Sequence, residues 1–104
     1  MNLSIDTHRV NDGAVRLVVA GEVDFATCEH LRTAIHDSLT EAHITELIVD
    51  LDGVSFLDSS GIRALMEGSK LATERRVGYL VTNPRRIVHR VLELTGVLRI
   101  LTHP

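Results

Sequence analysis

The chain has 104 residues, 44% of them hydrophobic, and a formal net charge of -3, which predicts one compact domain with little room for a separate catalytic module. Aromatic residues are only 3% of the chain, so the core should be aliphatic, and recognition of single-stranded nucleic acid by base stacking is disfavoured. No segment reaches the roughly 20 apolar residues that cross a bilayer, and the N-terminus does not resemble a signal sequence, so we expect a cytoplasmic protein.

The first part of the chain predicts a hairpin and then a helix. Leu3 and Ile5 alternate with polar residues, and an Asn-Asp-Gly turn at residues 11–13 separates them from an apolar segment over residues 14–20. Asp24 is placed to cap the helix that follows. The apolar residues of that helix recur at spacings of three and four: Phe25, Cys28, Leu31, Ile35 and Leu39. Cys28, the only cysteine, is expected to be a buried structural thiol.

The second part predicts further strands and helices in alternation. Residues 47–51 read as a strand buried on both faces, broken at residues 52–53 and followed by a short apolar piece over residues 54–57. A helix should begin at Asp58 or Ser59 and run to about Leu71.

Residues 77–81 predict a strand, an Asn-Pro pair at residues 83–84 begins a third helix, and residues 97–101 predict a last strand. The expected buried face of the third helix is Ile87, Val88, Val91 and Leu92. The core is expected to include Leu47, Ile48, Val49, Leu65 and Val91.

The predicted order of elements, β-β-α-β-α-β-α-β, indicates an α/β fold. We expect a mixed sheet of about five strands with three helices packed on it, spanning residues 1–104 as a single domain. Functional groups in such sheets gather at the carboxyl ends of the strands. The residues expected at that edge are Glu22, Asp24, Asp50, Asp52, Asp58 and Ser59.

The segment Asp-Ser-Ser-Gly at residues 58–61 is the first candidate site. The first turn of a helix has unpaired N–H groups and the positive end of the helix dipole, so a phosphoserine there would be stabilised. Taken alone the motif is a weak signal, because aspartate and serine cap helices routinely.

Asp50 and Asp52 form a second candidate site. An Asp-x-Asp-Gly motif at a strand end is similar to the first motif of the haloacid-dehalogenase phosphatases, in which the two aspartates are nucleophile and acid/base. That chemistry needs Mg²⁺, further carboxylates and a lysine downstream, whereas only Lys70 follows and no aspartate occurs after Asp58. A small Asp-dependent phosphotransferase is therefore the disfavoured alternative. A zinc site is not expected either, since the six histidines include no pair at i, i+4 spacing.

Charge is distributed unevenly along the chain. Residues 1–59 contain eleven acidic and three basic side chains, whereas residues 60–104 contain three acidic and eight basic ones. This asymmetry fits oriented docking on a charged partner, or two halves whose charges intermix on folding. The third helix carries an outward basic face, which fits either a protein-docking surface or an ordinary solvated one and is too small for nucleic acid. That face comprises Arg85, Arg86, His89 and Arg90.

Three segments resemble, in order and spacing, those of the STAS domains, and in particular the small stand-alone bacterial anti-sigma factor antagonists. The three segments are LVVAGEVDFATCEHLRTAI, IVDLDGVSFLDSSGIRAL and VTNPRRIVHRVLELTGVLRI. The resemblance covers nearly the whole chain. Family members commonly continue into a fourth helix, for which this chain looks too short.

The resemblance implies a non-enzymatic phospho-switch protein. Ser59, directly after the aspartate, would be phosphorylated by an anti-sigma factor with serine-kinase activity, and a metal-dependent phosphatase would reverse the reaction. The unmodified protein would capture the anti-sigma factor and free the sigma factor, with no cofactor, metal, nucleic acid or membrane involved. A STAS scaffold of another sensory or transport assembly that is never phosphorylated remains the alternative within the fold. The implied partner-binding residues are Asp24, Asp58, Ser59, Ser60, Gly61 and Arg63.

Overall fold

A computed structural model of the protein describes residues 2–102, in which four strands form one mixed sheet. The strands lie side by side in chain order: β1 (Leu3–Arg9), β2 (Ala14–Val23), β3 (Glu46–Leu57) and β4 (Gly78–Thr82). β1 pairs with β2 in antiparallel orientation, as the predicted hairpin requires, whereas β2, β3 and β4 run parallel. The α/β class and the mixed sheet are confirmed, with four strands rather than about five.

Within the described residues, four helices complete the fold. They are α1 (Cys28–Leu39), α2 (Ser59–Arg75), α3 (Arg86–Leu94) and α4 (Leu98–Thr102). α1 and α2 connect the parallel strands and pack against each other. None of the helices described in residues 2–102 is long and apolar enough to cross a membrane.

The core lies between the helices and one face of the sheet. Along β3 the side chains of Leu47, Val49 and Leu51 are fully buried, while Ile48 and Asp50 between them are only partly buried. The expectation of a strand buried on both faces is therefore wrong. A strand alternates its side chains between two faces, and the helices cover only one of them.

β3 does not stop at Asp52, as the sequence predicted, but continues to Leu57. Two register shifts accommodate the extra residues of β3 beside β2. At the first, the partner of Val18 is Asp50 and the partner of Ala20 is Gly53. The second lies between Gly21 and Glu22. A Cβ at Gly53 would lie 2.8 Å from the Cβ of Ala20, so glycine here permits close strand contact rather than ending the strand.

The predicted last strand is wrong, because residues 98–102 form helix α4. Gly96 adopts a left-handed conformation (φ +78°), and the N–H groups of Gly96 and Val97 donate to the carbonyls of Glu93 and Leu92 in a Schellman turn that ends α3. Leu101 is then fully buried while its neighbour Ile100 is exposed. The expectation that the chain is too short for a fourth helix is also wrong.

The helix faces differ from the predictions at three positions. α3 buries Val88 and Leu92, as expected, but Ile87 is 66% exposed and Val91 only partly buried. Phe25 precedes α1, which begins at Cys28, and is 85% exposed. Burial of Cys28 is confirmed. Fewer residues of α3 are buried than its apolar sequence predicts, because only one side of the helix contacts the sheet.

Candidate functional site

Asp58 joins the end of β3 to the start of α2 and is the N-cap of that helix. Its backbone is extended, and its Oδ1 atom accepts hydrogen bonds from the N–H groups of Ser60 (2.8 Å) and Gly61 (3.2 Å). The first helical hydrogen bond runs from Ile62 N–H to the Asp58 carbonyl, at 3.0 Å. One carboxylate oxygen therefore satisfies two of the N–H groups that a helix start leaves unpaired.

The two serines that follow differ in accessibility. Ser59, the first residue of α2, is exposed, whereas Ser60 is partly buried. Within residues 2–102 no protein group hydrogen bonds to the Ser59 hydroxyl, which is free to meet another molecule. A negative charge on this oxygen would lie at the positive end of a 17-residue helix.

Gly61 lets the first turn of α2 rest directly on the ends of two strands. A Cβ at this position would lie 2.3 Å from Leu57 Cδ1 and 2.7 Å from Val23 Cγ1, both well inside contact distance. A larger residue would push the helix start outward. Gly61 thus determines how closely the first turn of α2, which begins at Ser59, approaches the sheet.

Asp24 occupies the matching position at the end of β2. The residues Val23 and Leu57 are opposite each other, and Asp58 N–H donates to the Val23 carbonyl at 3.2 Å. Asp24 Oδ1 accepts hydrogen bonds from the N–H groups of Ala26 (2.9 Å) and Thr27 (3.0 Å). Asp24 therefore holds the turn that leads into α1. It is not the N-cap as predicted, since that position belongs to Thr27.

Asp50 and Asp52 do not lie at this edge, contrary to the expectation that six residues gather there. The partner of Asp50 on β2 is Val18, five residues before Val23, a separation of roughly 16 Å along the strand. The predicted edge thus divides into two clusters. One contains Glu22, Asp24, Asp58 and Ser59, and the other contains Asp50 and Asp52.

The Asp50 carboxylate is fully engaged by its neighbours. Oδ2 accepts from Arg16 Nη1 at 2.9 Å, and Oδ1 accepts from Asp52 N–H at 3.0 Å and Asn83 Nδ2 at 3.2 Å. Burial alone would raise the pKa of Asp50, but these hydrogen bonds outweigh it and hold the pKa below its ordinary value. Asp52 in turn pairs with Arg85 at 3.1 Å. A nucleophile needs a free carboxylate oxygen, whereas both oxygens of Asp50 accept hydrogen bonds in a network that joins β2, β3 and the segment after β4.

Arg63 lies one helical turn after Ser59 on α2. It is exposed and, among the described residues, forms no ion pair. Residues four apart on a helix are neighbours on its surface, so Arg63 and Ser59 share a face.

Sequence reasoning missed two features of this edge. Phe25, assigned to a buried helix face, is exposed beside Asp24, and Phe56, treated as part of an apolar strand, is 44% exposed two residues before Asp58. The available signal was that these are the only two phenylalanines of the chain and that both lie within three residues of a motif aspartate.

Residues 7–104 match the family model of the STAS domain. An anti-sigma F factor antagonist of Paenibacillus polymyxa is 25% identical over 101 residues, which cover 97% of this chain and 86% of that protein. Several homologues carry names of this kind, including anti-sigma-B factor antagonists of Listeria.

Solved structures show the same fold. An anti-sigma factor antagonist from Mycobacterium paratuberculosis superposes with a TM-score of 0.82 at 25% identity, covering 96% of this chain and 83% of that one. The unphosphorylated form of the anti-sigma factor antagonist SpoIIAA superposes with a TM-score of 0.81 at 22% identity, covering 95% of this chain and 85% of that one. The phosphorylated form of SpoIIAA, from Bacillus, has also been solved and shares this fold. With its family model matched over residues 7–104 and its fold shared with these antagonists, the chain belongs to the STAS domain family.

Proposed function

We propose that this protein is a cytoplasmic anti-sigma factor antagonist controlled by phosphorylation of Ser59. The unmodified protein captures an anti-sigma factor with serine-kinase activity and thereby releases the sigma factor. Phosphorylation by that kinase switches the antagonist off, and a metal-dependent phosphatase restores it. The protein acts as a regulator rather than an enzyme.

The observation that carries the proposal is the placement of Ser59. It is an exposed hydroxyl on the first residue of α2, next to a capping aspartate that fixes the helix start. Its neighbour Ser60 is partly buried and is the poorer acceptor. The homologues named as antagonists, and SpoIIAA solved in unphosphorylated and phosphorylated forms, support an antagonist controlled by phosphorylation.

The switch follows from the chemistry of the phosphate. Phosphorylation adds a charge of about -1.5 to -2 at pH 7 and a bulky hydrated group. An interface that closes over Ser59 has to remove water from this position. The free energy of desolvation is small for a hydroxyl and large for a phosphate. The same helix start that tolerates the phosphate in the free protein thus becomes unable to bind the partner. Little refolding is needed.

The experiment uses the anti-sigma factors with a kinase domain that are encoded in the same genome, purified and incubated with the antagonist and ATP. Mass spectrometry should locate one phosphate on Ser59 in the parent and in Ser60→Ala, and none in Ser59→Ala. Ser59→Ala should bind the anti-sigma factor as the parent does, and Ser59→Asp much more weakly. Equal phosphorylation of the parent and Ser59→Ala would refute the acceptor assignment.

The same experiment tests the scaffold alternative. A STAS protein that only organises another assembly would receive no phosphate from any of these kinases, and Ser59→Asp would bind its partners as well as the parent does. Either result for the whole set of kinases would refute the switch.

A further inference from the structure

Both phenylalanines of the chain are kept out of the core. Phe25 is 85% exposed and Phe56 is 44% exposed, while the core is aliphatic apart from Tyr79. Burial of a phenylalanine side chain stabilises a fold, and this protein forgoes nearly all of that contribution at Phe25 and part of it at Phe56. Aromatic side chains on a surface are the residues most enriched at protein–protein contacts.

Both phenylalanines lie at the strand ends that lead into the serine motif. Phe25 follows Asp24 in the turn after β2, and Phe56 is opposite Glu22 near the end of β3. Leu57 is buried against Gly61 of α2, so the ring of its neighbour Phe56 lies on the outer side of the strand. The hydrogen bond from Asp58 N–H to the Val23 carbonyl joins the two strand ends, and each phenylalanine is two residues from this junction.

Carboxylates outnumber basic side chains around this edge. No lysine or arginine occurs between Arg16 and Arg32 or between Arg32 and Arg63. The edge carries the partly buried carboxylates of Glu22, Asp24 and Asp58, with Arg63 as the exposed basic side chain one helical turn after Ser59. A complementary surface would offer apolar pockets for the rings and basic side chains around them.

We propose that Phe25 and Phe56 are the apolar anchors with which this protein binds its anti-sigma factor, entering apolar pockets rimmed by basic side chains. The inference rests on the proposed function and names the surface through which it acts. It also supplies a reason for the switch. Rings buried at the strand ends next to Ser59 make a dry contact at this edge, in which a phosphate cannot keep its water.

The test measures the affinity of the purified anti-sigma factor for Phe25→Ser and Phe56→Ser. Each change should raise Kd at least tenfold. The matched control is Leu94→Ser, because Leu94 is 72% exposed on α3, far along the chain from the motif, and should bind as the parent does. Thermal unfolding of all three variants should stay near the parent midpoint, since exposed side chains contribute little to the core.

The outcomes separate the two proposals. If the parent binds the anti-sigma factor and both phenylalanine variants bind equally well, the anchors are wrong and the proposed function stands. If Leu94→Ser loses as much affinity as they do, the anchor surface is misplaced. If the parent binds no anti-sigma factor from its genome, both the proposed function and the proposed anchors are wrong.

Salt distinguishes a dry contact from simple repulsion. The ratio of Kd values for Ser59→Asp and the parent should persist between 0.1 and 1 M salt, although the Debye length falls from about 10 to 3 Å. A ratio that falls toward one at high salt would show that the aspartate is opposed by like charges on the partner, rather than by a dry contact beside the rings. That result would overturn this reason for the switch.

Discussion

At the scale of single residues, Asp58 controls the start of α2 through one carboxylate oxygen. Asp58→Ala removes the acceptor for Ser60 and Gly61 N–H and should lower the free energy of unfolding by about 0.5 to 2 kcal/mol. Asp58→Asn keeps an acceptor of the same shape and should retain most of the stability. Urea unfolding of both variants tests the cap, and an Asp58→Ala protein as stable as the parent would contradict it.

Asp50 makes the stability of the fold depend on pH. Because its pKa is held below the ordinary value of 3.8, the ionised carboxylate stabilises the folded state above that value, and this contribution is lost as the pH falls through the lowered pKa. Asp50→Asn should therefore be less stable than the parent at pH 7, and the difference should shrink below about pH 4. Denaturant unfolding at pH 7 and pH 3 measures it. A difference that grows on acidification would show that the pKa is raised instead.

At the scale of elements, α4 is short but belongs to the core. Its single fully buried residue, Leu101, packs where a last strand had been predicted. Leu101→Ala should lower the free energy of unfolding by about 2 to 5 kcal/mol, as large-to-small changes in cores do. Ile100→Ala is the matched control, because Ile100 is 53% exposed and its loss should have little effect. Equal effects of the two changes would mean that α4 does not pack as described.

At the scale of the whole molecule, the sheet has one covered face and one open face. Val49→Asp places an unpaired charge among apolar side chains on the covered face and should abolish cooperative unfolding at ordinary temperature. Ile48→Asp, one residue away on the open face, should remain folded. Circular dichroism on heating compares them directly. A cooperative transition near the parent midpoint for Val49→Asp would show that β3 is not central.

The charge asymmetry of the chain is partly neutralised on folding. Arg85 of the basic half pairs with Asp52 of the acidic half at 3.1 Å. The acidic character survives mainly at the carboxyl ends of β2 and β3. The edge around Ser59, where a partner is proposed to bind, therefore carries more carboxylates than basic side chains, with Arg63 as its exposed arginine.

The sequence by itself determined the strong local signals. An apolar run before an aspartate and two serines, followed by apolar residues at helical spacing, was enough to predict a strand over residues 47–51, the cap at Asp58 and the start of helix α2, but not the continuation of β3 to Leu57. Capping and periodicity are short-range effects, which explains why they can be predicted from neighbouring residues alone. The family resemblance rested on the same segments.

Only the tertiary structure decided which apolar residues are buried and which strand ends meet. Ile48, Ile87 and Phe25 have the same apolar character as their buried neighbours, and their exposure depends on which faces the other elements cover. The short apolar segment after Gly96 suited a strand or a helix equally, until packing of Leu101 selected the helix. Likewise Asp50 and Asp58 both end apolar runs, but β4 stops beside the first and β2 beside the second, because register is a property of the assembled sheet.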